Sequence, residues 1–240
     1  MDKSLTADDL DVLAFGAHPD DVELSAGGTL AKLAAQGKRC GVVDLTRGEL
    51  GTRGSAALRD EEAAKAASIL GLVHRENLGL ADGFFQEDEA SIRAVVAAIR
   101  RHRPAVVLAN ALADRHPDHG RAAELVARAA FLSGLVKVDT GQAPWRPRAV
   151  YHYIQDYDRT ADVVVDVTGH LDTKMKAIAA YASQFHDPNS KEPETPISSQ
   201  GFMEHVRRRA TSFGRPVGVD AGEGFEVRRP VGTDSLLDLI

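Results

Sequence analysis

The chain has 240 residues with 29 Lys and Arg against 35 Asp and Glu, a formal net charge of −6, and its 43% hydrophobic and 27% charged residues are ordinary for a globular protein. Such a chain can bury one full core, which excludes bulk disorder, and its acidic balance argues against nucleic acid, whose phosphates attract basic surfaces. The single cysteine, Cys40, excludes an intramolecular disulfide framework and a cysteine-rich zinc knuckle, so any metal must be held by histidine and carboxylate.

Residues 1–10 contain no apolar signal-like segment, and no stretch approaches the roughly 18 apolar residues of a membrane span. The expectation is a soluble, cytoplasmic protein without a membrane partner. The first apolar run, Val12 to Ala17, ends at His18-Pro19-Asp20-Asp21, and Ser25-Ala26-Gly27-Gly28 then leads into a helical run from Thr29 to Gln36. A second strand is expected over Cys40 to Leu45. Ala56 to Leu70 reads as a helix stopped by Gly71, Ile92 to Arg101 as a helix, Ala105 to Ala109 as a strand and Gly120 to Leu132 as a helix. Short apolar strands alternating with helices predict βαβ crossovers, hence an α/β, Rossmann-like fold whose mostly parallel sheet is covered by helices on both faces.

After Gly134 the texture changes. Strands are expected over Ala149 to Ile154 and Val163 to Val167, followed by a helix from Leu171 to Ser183. The polar stretch His186 to Ser199, with Pro188, Pro193 and Pro196, reads as an exposed loop or lid. Helix returns from Phe202 to Phe213, and the tail from Val217 to Ile240 reads as a small edge structure or a subunit contact. The chain is read as one domain, 1–240, with a core over about 11–185, a loop over 186–199 and a C-terminal helix and tail over 200–240.

Ligand sites of open parallel sheets lie beyond the carboxyl ends of the strands. Two clusters stand there: His18, Asp20, Asp21 and Glu23 after the first strand, and Asp114-Arg115-His116-Pro117-Asp118-His119 after the strand ending at Ala109. A catalytic zinc site takes about three N or O ligands and keeps one position for water. His18, Asp21 and His119 are the expected ligand set at the strand tips, with Asp20 as general base. Gly27 and Gly28 are expected to let the helix start pack tightly. They make no phosphate cradle, because no G-x-G-x-x-G follows the first strand, so a nucleotide cofactor is not expected.

Ala17-His18-Pro19-Asp20-Asp21-Val22-Glu23 resembles the A-H-P-D-D-x-E signature of the zinc-dependent PIG-L/LmbE-type N-acetylglucosamine deacetylases, and His116-Pro117-Asp118-His119 resembles their H-x-D-H signature. Further similarity runs through Asp44 to Glu49, Leu58 to Ala63, Asn77 to Leu80, Tyr181 to Phe185, Gly218-Val219 and Gly224-Phe225. The set looks most like the bacillithiol-pathway branch, which deacetylates N-acetylglucosaminyl-malate. The resemblance implies Zn2+, with Fe2+ or Co2+ as alternatives, at His18, Asp21 and His119. It implies Asp20 as base and His116 as the histidine that stabilises the oxyanion or protonates the leaving amine. Arg59 and Arg115 match arginines that face the substrate, suited to the malate carboxylates. It further implies a cytoplasmic homo-oligomer, trimer or hexamer, acting on a small N-acetylated amino-sugar conjugate. The alternative is a sister amidase acting on another N-acetylglucosamine derivative or a thiol S-conjugate. A non-catalytic sugar- or metal-binding protein is the rival from another class, and Asp20 beside a full ligand set argues against it. Some relatives carry a tyrosine in the late loop, where this chain has Thr195-Pro196-Ile197.

Taken singly, other residues have simpler readings. Glu23 is expected to accept a hydrogen bond from a ligand histidine or to serve as a helix N-terminal acid, and Asp118 is expected to cap the helix near Gly120, with orienting its neighbours as the second reading. Arg207-Arg208-Arg209 reads as a solvated face, with an intersubunit salt bridge as the second reading, and Cys40 as a small buried hydrophobe. His74, His102, His152, His170, His186 and His205 receive no role.

Overall fold

The computed structural model describes residues 9–186 and 190–239. Seven strands and six longer helices alternate: β1 (Val12–Gly16), α1 (Asp21–Ala35), β2 (Cys40–Asp44), α2 (Ala56–Leu70), β3 (His74–Asn77), α3 (Glu89–His102), β4 (Val106–Ala109), α4 (Pro117–Leu132), β5 (Ala149–Tyr153), β6 (Val163–Asp166), α5 (Leu171–Ala179), α6 (Phe202–Gly214) and β7 (Gly222–Glu226). They form one sheet in the order β3-β2-β1-β4-β5-β7-β6, parallel from β3 to β5 and antiparallel at β7. This is the expected α/β architecture.

The period-two alternation of β1 distributes its side chains between two cores. Leu13 and Phe15 pack with Ile92, Val95, Leu125 and Val126 of α3 and α4, while Val12 and Ala14 pack with Val22, Ala26 and Leu30 of α1 on the opposite face. A further cluster joins α2, α5 and α6 through Ala66, Leu70, Ile178, Tyr181 and Val206. Cys40 lies buried and free in β2.

Several boundaries differ from the sequence expectation, each for a physical reason. α1 starts at Asp21, not Thr29, so Gly27 and Gly28 lie inside a helix. Their missing side chains admit neighbouring elements: a Cβ on Gly28 would stand 2.9 Å from Val167 Cβ and 3.1 Å from Glu223 Oε1. α3 begins earlier, at Glu89, where the Asp88 side chain accepts from Ser91 N–H, and α4 starts at Pro117 with His116 as its cap. α5 ends at Ala179, short of Ser183. β3, His-Arg-Glu-Asn, has no apolar residue and was not expected from the sequence; it is an edge strand that draws its stability from pairing with β2.

The tail is not an edge structure. Gly222–Glu226 inserts as β7 between β5 and β6, with Phe225 buried and the glycines passing against α6, where Phe213 lies within 2.6 Å of a Cβ built on Gly224. The buried Glu223 accepts from Gly28 N–H at 2.9 Å, Thr29 N–H at 2.7 Å and Lys174 Nζ at 2.6 Å, tying β7 to α1 and α5. In the loop after α5, residues 187–189, including Pro188, lie outside the described residues. The rest carries a single 3₁₀ turn, Pro196–Ser198, capped by Thr195.

β1 is flanked by β2 and β4, so the chain order reverses between β1 and β4. That switch point opens a crevice at the carboxyl ends of the strands, and the loops that border it carry both residue clusters.

Candidate active site

The crevice is a cavity of about 470 Å³ lined by His18, Asp20, Asp21, Arg59, Asp82, Arg115, His116, His119, Gln155 and Asp156 on the sheet side and by Thr195, Pro196, Ile197, His205 and Arg209 on the other. Its size lies within the roughly 300–1,000 Å³ of small-molecule sites. Every expected site residue therefore borders one space.

Asp21, the first residue of α1, is the hub. Its Oδ2 accepts from His18 N–H and from Asn110 Nδ2, each at 3.0 Å, and its Oδ1 accepts from Gln155 Nε2 at 2.6 Å. Oδ1 also lies 3.1 Å from His119 Nε2, and Oδ2 lies 3.6 Å from His18 Nδ1. Both imidazoles thus turn one nitrogen toward the same carboxylate. Their other nitrogens are committed: His18 Nε2 faces Asp82 Oδ1 at 3.1 Å and Asp118 Oδ2 at 3.3 Å, and His119 Nδ1 donates to Asp114 Oδ2 at 2.5 Å. A carboxylate behind each histidine fixes its tautomer and raises its basicity, which is how proteins commonly prepare imidazoles for a metal. Two such histidines and a carboxylate are a donor set that fits a divalent transition ion. One ring nitrogen of His116 also lies within 4.8 Å of donor nitrogens of His18 and His119.

Charges follow from this packing. Burial alone would lower the pKa of His119, but the charge of Asp21 and the hydrogen bonds to Asp114 and Asp21 push it up to about 9. His18 likewise rises well above its ordinary value, burial being outweighed by Asp118, Asp21 and Asp82. Asp21 is held well below the usual carboxylate range, its burial overcome by His119 and His18.

Asp20 behaves differently. It caps α1 with φ of 110°, a left-handed conformation that costs a non-glycine residue roughly 1–3 kcal/mol, and its side chain makes no capping bond. The carboxylate instead faces the cavity and accepts from Arg59 Nη2 at 3.0 Å. Burial pushes its pKa up to about 7 against the opposing charge of Arg59. A carboxyl poised there can both take and return a proton near neutrality.

His116 caps α4: its Nδ1 accepts from Asp118 N–H at 3.3 Å. That acceptor role leaves the proton on Nε2. Burial and the neighbouring His18 and His119 lower its pKa, so the ring is neutral and presents a donor.

Corrections to the sequence reading are specific. Asp118 is not the helix cap; it is the second residue of α4, with its carboxylate on His18, Gly83 N–H and Arg121. Glu23 supports no histidine but does stand in the first turn of α1, as the other expectation had it; it is buried against Arg75, which also forks onto Asp44 at 2.8 and 2.9 Å, and it accepts from Tyr181 Oη at 3.0 Å. Arg209 is not a solvated residue; it borders the cavity, donates to Tyr157 O at 2.9 Å and has a lowered pKa through burial. His205, without a role in the sequence, also borders the cavity. Arg59 is buried, bonded to Asp20 and the Pro19 carbonyl, and Arg115 pairs with Asp156. Asp82, Asn110, Asp114 and Gln155 escaped sequence reasoning, although Asp114 lay within the second cluster and its i,i+5 spacing to His119 was available. No tyrosine is among the described residues that line the cavity.

Among the described residues no helix is long and apolar enough to cross a membrane. Residues 13–130 match the family described as PIG-L, GlcNAc-PI de-N-acetylase. The chain is 30% identical over 189 residues to diacetylchitobiose deacetylase of Thermococcus kodakarensis, covering 72% of this chain and 70% of that protein. It is 27% identical to 1D-myo-inositol 2-acetamido-2-deoxy-alpha-D-glucopyranoside deacetylase of Rhodococcus opacus, covering 72% and 81%. Among solved structures, the conserved protein TT1542 from Thermus thermophilus superposes with a TM-score of 0.85 at 36% identity over 93% of this chain and 97% of that one. The 4-carboxy-2-hydroxymuconate hydratase GalB of Pseudomonas putida superposes at 0.79 and 25% identity over 94% and 99%.

Proposed function

The chain belongs to the PIG-L de-N-acetylase family, and from that premise we propose that it hydrolyses the acetamide of an N-acetylglucosaminyl conjugate, with the malate conjugate as its substrate. The observation that carries the hydrolytic reading is the convergence of Asp20, His116 and the His18–Asp21–His119 cluster on one cavity. A hydratase on the same fold also activates water, so the similarity to GalB makes acetate the product that decides.

His18 Nδ1, Asp21 and His119 Nε2 are the groups that would hold a divalent ion, for which we take Zn2+ over Fe2+ or Co2+. Such an ion supplies Lewis acidity at the acetyl carbonyl and lowers the pKa of water to roughly 7. The chain's own groups do the rest. Asp20 takes the proton of the attacking water as its oxygen adds to the carbonyl carbon. His116 Nε2–H donates to the developing oxyanion, a contribution typically worth about 10²–10³ in kcat. As the C–N bond breaks, Asp20 returns its proton to the leaving nitrogen, giving acetate and the free amine.

The anionic aglycone finds cations at the rim. Arg115 and Arg209 border the cavity, and Arg59 stands in its wall with one nitrogen committed to Asp20. Malate offers two carboxylates to guanidinium groups that match them in geometry.

An acetate-release assay on N-acetylglucosaminyl-malate, free N-acetylglucosamine and diacetylchitobiose tests the substrate. Preference for the malate conjugate is expected, and equal rates would defeat that branch while leaving the chemistry standing. Asp20→Asn, which tolerates the left-handed backbone, is expected to lose about 10²–10⁴-fold in turnover while keeping its metal. Full activity in that variant would remove Asp20 as the base.

A further inference from the structure

The second cluster of donor atoms lies at the other end of the sheet. β3 is an edge strand, and its residues His74 and Glu76, two apart, stand on the same side of it. His102, the last residue of α3, meets them there: its Nε2 lies 3.1 Å from Glu76 Oε1, and His74 Nε2 lies 3.8 Å from the same oxygen. The two rings are 4.0 Å apart between centroids. The register places His74 opposite Gly41 near the start of β2, and His102 O accepts from Leu10 N–H just before β1. The cluster therefore sits at the amino ends of the strands, the end of the sheet opposite His18 and His119.

We propose that His74, Glu76 and His102 form a second divalent-metal site that takes a first-row transition ion such as Zn2+ through two imidazole nitrogens and one carboxylate oxygen. One donor atom from each residue lies within 4.8 Å of the others, and the set is the N2O combination that zinc favours. His74 Nε2 is shut off from solvent and makes no hydrogen bond, its nearest carboxylate oxygen, Glu76 Oε1, standing 3.8 Å away. The C-terminal end of α3 adds the negative pole of its dipole.

The competing reading is a plain ion network, because Arg101 Nη2 lies 3.0 Å from both oxygens of Glu76. Arg101 can keep Oε2 while Oε1, the oxygen both histidines approach, serves the metal. A bound ion would fasten the exposed edge strand to the end of α3.

The test uses the full, tag-free chain, stripped by a chelator and titrated with Zn2+ against a chromophoric competitor of micromolar affinity. The wild type is expected to hold two equivalents, His102→Ala and Glu76→Gln one each with deacetylase activity retained, and His18→Ala the single equivalent that both of those variants lose. Glu76→Gln, an isosteric change at the sheet edge, guards against loss of folding in His102→Ala. Retention of the full wild-type stoichiometry in both variants overturns the site, as does loading of the second equivalent only at millimolar zinc. The result is independent of substrate identity.

Discussion

Arg59 Nη2 donates to Asp20 Oδ2 at 3.0 Å, and both side chains are buried. The pair sets where Asp20 titrates. As the proposed base, Asp20 would work only when ionised, so the rate is expected to rise with pH through its pKa, which burial has raised to about 7 against the charge of Arg59. Removing that cation raises the pKa further. Arg59→Met should move the acid limb of kcat/KM upward by roughly one pH unit or more, with the loss confined to low pH. A bound metal ion lowers the starting value without changing the direction. An unmoved acid limb would show that Arg59 does not act through Asp20.

Asp114 holds His119 by its Nδ1 at 2.5 Å and is itself held by the backbone N–H groups of Asp156 and Tyr157, each at 3.0 Å. Loss of such a supporting carboxylate typically weakens metal binding about 10–100-fold. Asp114→Ala should show that loss in a competitive zinc titration, with the fold intact by circular dichroism. Wild-type affinity in the variant would reduce Asp114 to a loop residue.

Gly28 meets Val167 and Glu223 where α1 is crossed by the β6–α5 connection and by β7. A methyl group there must displace a Cβ rather than a flexible side-chain end. Gly28→Ala is expected to cost about 1–3 kcal/mol despite the better helix propensity of alanine, lowering Tm by roughly 2–4 °C per kcal/mol. Thermal denaturation with unchanged or higher Tm would mean that the crossing relaxes freely.

Cys40 is fully buried in β2, and burial together with Asp11 pushes its thiol pKa up to about 12. The thiolate is the nucleophile, so the native protein should not react with a disulfide reagent at about pH 8 and should release one equivalent of chromophore after unfolding in guanidinium. Rapid reaction of the native protein would contradict this burial.

Much of the fold was legible because local pattern and tertiary role agreed. Ala56 to Leu70 was read as a helix stopped by Gly71, and the helix has those bounds, with Ser55 capping its start. β3 and β7 were not legible. His-Arg-Glu-Asn and Gly-Glu-Gly-Phe-Glu carry too few apolar residues to register as strands, and both exist through pairing with neighbours already in the sheet.

The site divides along the same line. His18, Asp20, Asp21, His116 and His119 lie in two short segments at strand ends, so their gathering on one cavity was legible from adjacency. Local spacing carries that information because a strand end and the helix that follows it are one structural unit. What the sequence could not determine is which groups stand behind those residues. Asp82 reaches His18 from 64 positions away, Gln155 reaches Asp21 from 134, and Arg209 enters the cavity from the last long helix. Their positions depend on the sheet order and on α6 packing beside β7, which are products of burial summed over the whole chain. Tertiary structure likewise turned Arg59 toward Asp20 and Glu23 toward Arg75, because a buried charge must find an opposite partner wherever the fold places one.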